Sequence, residues 1–267
     1  MDSEAIYTAY YPRASSSPGE FKPKLFVGGF VSWLNGESSS AAWWVPTGIR
    51  ILDVGCGFGE ALAYHRARGC EVFGVELDEN VREVADRFNF NVHLGPFDPD
   101  GYVPGSFDFV TMHQVMEHLR DPLAVLGGVK KILRSGGHLI ISTPNAGGWG
   151  SRVFGRRWIN WHLPYHRQFF TKDSLRLAAE AVGLEVERVR VVTSSDWLKY
   201  QWVHLLFCPP EGTPSAFWSP RAGRGYGIRI TERLLELLHW LRINHLLTRF
   251  FDALGKGDNF VFVLRKP

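Results

Sequence analysis

Cysteine is scarce in this chain: Cys56, Cys70 and Cys208 are the only three among 267 residues. Their odd number and the absence of any Cys-x-x-Cys pair argue against a disulfide framework and a cysteine zinc site, and point to a reducing compartment. No stretch of about 20 apolar residues runs uninterrupted by charge, so no transmembrane helix is expected. The first twenty residues are acidic and aromatic, then rich in Ser and Pro. They lack the basic start and apolar run of a secretory signal, which makes the cytoplasm the expected location. A dense Lys/Arg block is missing too: 30 basic residues against 27 acidic leave a formal charge of +3, and charge gives no ground for a nucleic-acid partner.

What is present is an ordinary globular composition, 45% apolar and 21% charged, which excludes wholesale disorder. The length suits one α/β core with additions. Ile-Leu-Asp-Val (51–54) is a short apolar strand, 60–68 a helix, 71–77 a second strand and 78–88 a second helix with acidic residues in its first turn. This βαβα alternation favours a parallel sheet with right-handed crossovers. Strands at 91–94, 107–112 and 138–143 follow, with a helix from about Asp121 to Leu133 that Ser-Gly-Gly (135–137) ends. A helix near 172–181, an alternating strand at 184–193 and a last strand at 259–265 complete the pattern. Residues 1–48 form an N-terminal arm with a short lid helix, and 49–267 the main domain. Within it, 194–256 holds Leu- and aromatic-rich segments at helical spacing, 196–207 and 230–251, and reads as an inserted helical cap.

Asp-Val-Gly-Cys-Gly-Phe-Gly (53–59) follows a strand and opens a helix, the context in which a glycine loop carries information. Gly55, Gly57 and Gly59 let backbone approach a ligand, and the helix start favours a carboxylate or phosphate. Glu76 ends the second strand, where a carboxylate can accept hydrogen bonds from both ribose hydroxyls. A ribosyl ligand follows, either a dinucleotide or S-adenosylmethionine. The loop reads GxGxG with Asp53 two positions ahead, rather than the GxGxxG of dinucleotide sites.

With Phe-Asp-Phe-Val-Thr-Met-His-Gln-Val-Met-Glu-His-Leu-Arg-Asp-Pro (107–122) and Leu-Arg-Ser-Gly-Gly-His-Leu-Ile-Ile-Ser-Thr-Pro (133–144), the chain resembles the class I S-adenosylmethionine-dependent methyltransferases. The resemblance runs from about Ile51 to Thr193 and includes the terminal strand. It implies a Rossmann-like α/β fold: a seven-stranded sheet of order 3-2-1-4-5-7-6 whose strand 7 is antiparallel, here with the helical insertion between strands 6 and 7. It also implies that Asp53, Gly55 and Gly57 border the methionine portion of the cofactor, Glu76 the ribose and Leu77 the adenine. Phe97 and Asp98 would close over adenine, and Met112 and His113 would face the cofactor's centre. Cys56 and Gly59 complete the loop, with Cys56 as a space-filler.

A hydroxyl acceptor would be helped by a histidine base. By resemblance His113, His118, His162 and His166 lie around the active-site face, and His118 and His166 are the candidate catalytic residues; each could instead lock its loop through hydrogen bonds. Glu-His-Leu (117–119) is similar to the quinone-ring O-methyltransferases of ubiquinone biosynthesis. Their further carboxylate is Gln114 here, a poor ligand for a hard cation, and no metal is expected. Trp197, Trp202 and Trp240 of the cap either pack on the domain, line an apolar acceptor pocket or rest weakly on a membrane surface. Tyr7, Tyr10 and Tyr11 could belong to a lid.

The expected activity is methyl transfer from S-adenosylmethionine to a small, lipophilic or glycosylated metabolite, at oxygen. The competing readings are a nicotinamide-dependent oxidoreductase and a catalytically inactive cofactor-binding scaffold.

Overall fold

The computed structural model describes residues 25–26, 28–207 and 226–267; Tyr7, Tyr10, Tyr11 and Cys208 lie outside the described residues. Helix α1 (Gly29–Asn35) precedes β1 (Arg50–Val54). Then come α2 (Glu60–Ala67), β2 (Glu71–Glu76), α3 (Val81–Phe88) and β3 (Asn91–Leu94). The second half of the sheet is built by β4 (Phe107–His113), α4 (Pro122–Ile132) and β5 (Leu133–Pro144). After α5 (Trp149–Phe154), α6 (Lys172–Ala181) and β6 (Glu185–Val191) stand the cap helices α7 (Ser195–Phe207), α8 (Tyr226–Trp240) and α9 (Ile243–Ala253), and the chain closes on β7 (Asn259–Arg265).

The sheet order is β3-β2-β1-β4-β5-β7-β6. β1 to β5 pair in parallel, and β7 runs antiparallel to both β5 and β6, as the resemblance implied. The period of two explains how the sheet is covered. Leu139, Ile141, Phe260, Phe262 and Leu264 turn to the face packed by Leu126 and Val129 of α4 and Leu175 and Ala179 of α6. Ile51, Ile140, Val261 and Val263 turn to the other, where Ala41 and Val45 of the arm pack. The expected short helix at 38–44 is two 3-10 turns, Glu37–Ser39 and Ala41–Trp44, and the second of these lies against the sheet.

Two boundaries differ from the sequence reading. β5 begins at Leu133 because Gly136 N donates to Lys266 O and Lys266 N to Gly137 O, so the chain end extends the pairing across the Ser-Gly-Gly stretch. The 230–251 segment breaks into α8 and α9 at Arg242, which takes a left-handed φ of 66°. The break turns the polar side of α9, with Asn244, His245, Thr248 and Arg249, into the interior.

Candidate functional site

A cavity of about 430 Å³ opens at the carboxyl ends of β1, β2 and β4, the edge where ligands bind in open α/β sheets. Its floor is the turn after β1. Gly55 stands at φ 75°, and a Cβ there would lie 2.4 Å from Val115 Cγ2, so only glycine admits this approach of two chain segments. Gly55 N and Cys56 N both donate to Val75 O, which pins the turn to β2.

Glu76 is buried beside it. Its Oε2 accepts from Gly57 N at 2.9 Å, and its Oε1 from Leu77 N at 2.8 Å and Asp78 N at 3.1 Å. Three backbone donors thus fix the carboxylate at the edge of the cavity.

Of the eleven residues expected at the cofactor, Gly55, Glu76, Leu77 and Phe97 line this cavity. Asp53 stands behind the wall, its Oδ1 accepting from Thr111 Oγ1 at 2.6 Å, and so ties β1 to β4. Cys56 is buried against Gly74, where a Cβ would meet its Sγ at 2.7 Å. Burial, then Asp53 and Glu76, push its thiol up, which suits a space-filler and not a nucleophile. Gly57 and Gly59 shape the loop at φ 54° and 88°. Met112 is fully buried in the core, and half-buried His113 does not reach the cavity. Asp98 is exposed; it caps a 3-10 turn by accepting from Asp100 N and borders a separate depression with Arg50 and Tyr102.

The opposite wall holds the catalytic candidates. After β4 the backbone reverses at Gln114, φ 57°, into a 3-10 turn, Met116–His118. His118 lines the cavity; its Nδ1 lies 3.0 Å from Tyr165 O. A carbonyl only accepts, so Nδ1 carries the proton and Nε2 the lone pair. Behind it His166 is buried, with Nδ1 2.7 Å from Asn160 O, and the two rings meet edge-on at 4.8 Å. Burial pushes His118 below its ordinary value, and burial together with His118 pushes His166 to about 3. Both rings are neutral at pH 7.

Glu117 completes the cluster. Its Oε2 accepts from Thr143 Oγ1 at 2.8 Å, and its buried Oε1 has no hydrogen-bond partner among the described residues. Glu117, His118 and His166 bring ligand atoms within 4.8 Å of one another, so these three side chains can hold a divalent transition metal, whose imidazole ligands must be neutral. The sequence reading counted no metal ligands. Gln114 lines the cavity but commits its amide nitrogen to Asn259 Oδ1 at 2.9 Å and Ser142 Oγ at 3.3 Å.

Burial holds the Glu117 carboxyl up at about 7, against an ordinary 4.5. The folded chain therefore binds this proton more tightly than the unfolded one. The stabilisation is full below the unfolded value and is lost as pH rises through 7. Replacing Glu117 by Gln should remove that slope, about 1.4 kcal/mol per pH unit across the interval. Urea melts of both proteins at pH 5 and pH 8.5 check this; parallel pH profiles would contradict it.

The sequence reading did not assign Val115, Tyr165, Arg120 and Arg167 to the cavity wall. Val115 and Arg120 belong to the 107–122 segment, and Arg167 N and Gln168 N donating to Glu117 O bring Tyr165 and Arg167 beside it, a contact between loops fifty residues apart in the chain. The cap tryptophans do not line the cavity. Trp202 donates to Asn244 Oδ1 at 3.0 Å and meets Phe154 edge-on, Trp197 meets Tyr200, and Trp240 is exposed.

A family model described as a methyltransferase domain matches residues 38–189. A ubiquinone biosynthesis O-methyltransferase of Aeromonas salmonicida is 28% identical over 196 residues, 68% of this chain and 80% of that protein. Among solved structures, an S-adenosylmethionine-dependent methyltransferase of Thermotoga maritima, described as a possible histamine N-methyltransferase, superposes with a TM-score of 0.53 at 19% identity, covering 88% of this chain and 89% of that one. Phosphoethanolamine N-methyltransferase 2 of Haemonchus contortus, solved with S-adenosylmethionine, gives 0.55 at 19% identity, covering 100% of this chain and 57% of that one.

Proposed function

The chain belongs to the methyltransferase-domain family and is an S-adenosylmethionine-dependent methyltransferase; from that premise we propose that it methylates an oxygen of a small lipophilic or glycosylated acceptor, with His118 as the base. Membership in the family sets aside a nicotinamide-dependent oxidoreductase. The observation that carries the reading is that Glu76 and His118 line one cavity: a carboxylate at the end of β2 and an imidazole in the turn after β4 face the same space.

In this reading Glu76 accepts the ribose hydroxyls, Leu77 and Phe97 flank the adenine, and the glycine loop with the start of α2 receives the methionine portion. Asp53, Cys56, Gly57 and Gly59 support the loop from behind. The bound cofactor supplies a methyl group on a sulfonium, already a strong electrophile, so the chain's task is to align the acceptor and exclude water. His118 Nε2 takes the hydroxyl proton as the oxygen attacks, and Tyr165 O steadies the imidazolium through Nδ1–H. Leu119 and Val125 give this side of the cavity apolar wall. At its rim the side chains of Arg120 and Arg167 have no hydrogen-bond or ion-pair partner among the described residues, so an acidic substituent on the acceptor would be met there.

The test is incubation with isotope-labelled S-adenosylmethionine and a panel of catechols, phenols and glycosides. Gain of one labelled methyl on an oxygen of one compound supports the proposal; cofactor binding without any turnover supports the scaffold reading. Glu76→Ala should weaken S-adenosylmethionine binding by about 1.5–3 kcal/mol, the worth of a charged hydrogen-bonded contact. Unchanged affinity in calorimetry removes Glu76 from the ribose.

A further inference from the structure

The cap presents its apolar side outward. On α9 the residues turned to the interior are Asn244, His245, Thr248 and Arg249. Ile243, Leu246, Phe250 and Leu254, spaced three and four apart, are exposed, Leu246 at 59% and Phe250 at 57%. α8 repeats the arrangement with exposed Ile230, Leu234, Leu237 and Leu241, and Trp240 between the helices is 73% exposed. α1 packs beside α9, with Arg249 Nη1 donating to Trp33 O at 2.7 Å, and adds exposed Phe30, Val31 and Trp33. Large apolar side chains exposed in such number on neighbouring helices mark an interaction surface.

We infer that this surface, α8 and α9 with α1 alongside, docks on the face of an anionic lipid bilayer. Charge decides for lipid over a second protein copy. Among the described side chains of α8, α9 and the turn after them, the ionic groups that reach solvent are exposed Arg233, Arg242 and Lys256 against exposed Glu236 and half-buried Glu232, an excess of cations flanking leucine and tryptophan, which is the composition of helices that lie in a membrane interface. Trp33 and Trp240 supply rings with a polar edge, suited to headgroup depth. No described helix is long and apolar enough to cross a membrane, so the helices lie on the surface and do not span it. Exposed leucines are immersed, and the cations meet phosphate.

The full chain is mixed with vesicles of phosphatidylcholine alone and of phosphatidylcholine with phosphatidylglycerol in equal parts, then floated on a density gradient. The protein should rise with the mixed vesicles and much less with the neutral ones, and added salt should weaken the binding without abolishing it. Leu246→Glu combined with Phe250→Glu should lower vesicle binding by about tenfold or more, with thermal melting and S-adenosylmethionine affinity retained as evidence of an intact fold. Absence of flotation overturns the inference. So does a dimer in sedimentation equilibrium that the double variant dissociates, because the surface would then be an interface between copies.

Discussion

Replacing His118 by Ala should lower turnover by about 10²–10⁴-fold, the span that a positioned general base contributes, while S-adenosylmethionine affinity stays as in the parent protein. The expectation rests on division of labour within the cavity: Glu76 and the glycine loop line one wall, and His118 stands on the other. The pH profile discriminates a base from a structural residue. Burial lowers the His118 value below 6.5, so the competent neutral form prevails at pH 7, and kcat/KM should fall on the acid side as the ring is protonated. His166 lies behind His118 and outside the cavity wall. His166→Ala should therefore cost less, through loss of the ring that positions His118. Single-turnover and steady-state rates with a methylated acceptor check both, and undiminished turnover in His118→Ala removes it from the chemistry.

Much of the sheet was legible because its signals are local. Apolar runs at 51–54 and 71–76, separated by helical spacing, fix the βαβ units, and the antiparallel β7 came with the family resemblance. The break at Arg242 was not legible. Leucine recurs at helical spacing straight through 230–251, and what bends the chain is the burial of Asn244, His245 and Thr248, with Asn244 Oδ1 accepting from Trp202 Nε1 of α7. Propensity favours continuation there; tertiary polar contacts override it.

The site divides in the same way. Gly55 and Glu76 were readable because a turn and the end of a neighbouring strand lie at fixed spacing. Met112 shares the inward parity of Val110 on β4, so it belongs to the core; only residues past the strand end, Val115 and His118, reach the cavity. Tyr165 O meeting His118 Nδ1 joins positions 47 residues apart, and no local pattern encodes that. Asp98 caps its own turn, accepting from the backbone two residues on as Asp does at turns.

Arg249→Met should destabilise the protein by about 3–5 kcal/mol, the penalty for stripping one partner from a buried ion pair. Arg249 is almost wholly enclosed, its side chain 6% exposed. Its Nη1 donates to Trp33 O and its Nη2 to Thr193 O, and Nη2 lies 2.7 Å from Asp252 Oδ2. One guanidinium thus joins α1, the turn before α7 and α9. Gly36 makes room for it: a Cβ there would stand 2.7 Å from both Nη atoms. Asp252 accepts from Thr193 N and Thr193 Oγ1, each at 2.9 Å, yet burial still holds its carboxyl up at about 6, beside the guanidinium. Desolvation outweighs attraction here, so removing the cation leaves a carboxylate with too little compensation, whereas removing both charges should recover most of the loss. Arg249→Met with Asp252→Asn is therefore expected to melt well above Arg249→Met alone. Urea unfolding of the two variants and the parent, closed as a double-mutant cycle, reads the coupling directly. A single variant as stable as the parent would mean that the α1–α9 contact stands on its apolar packing.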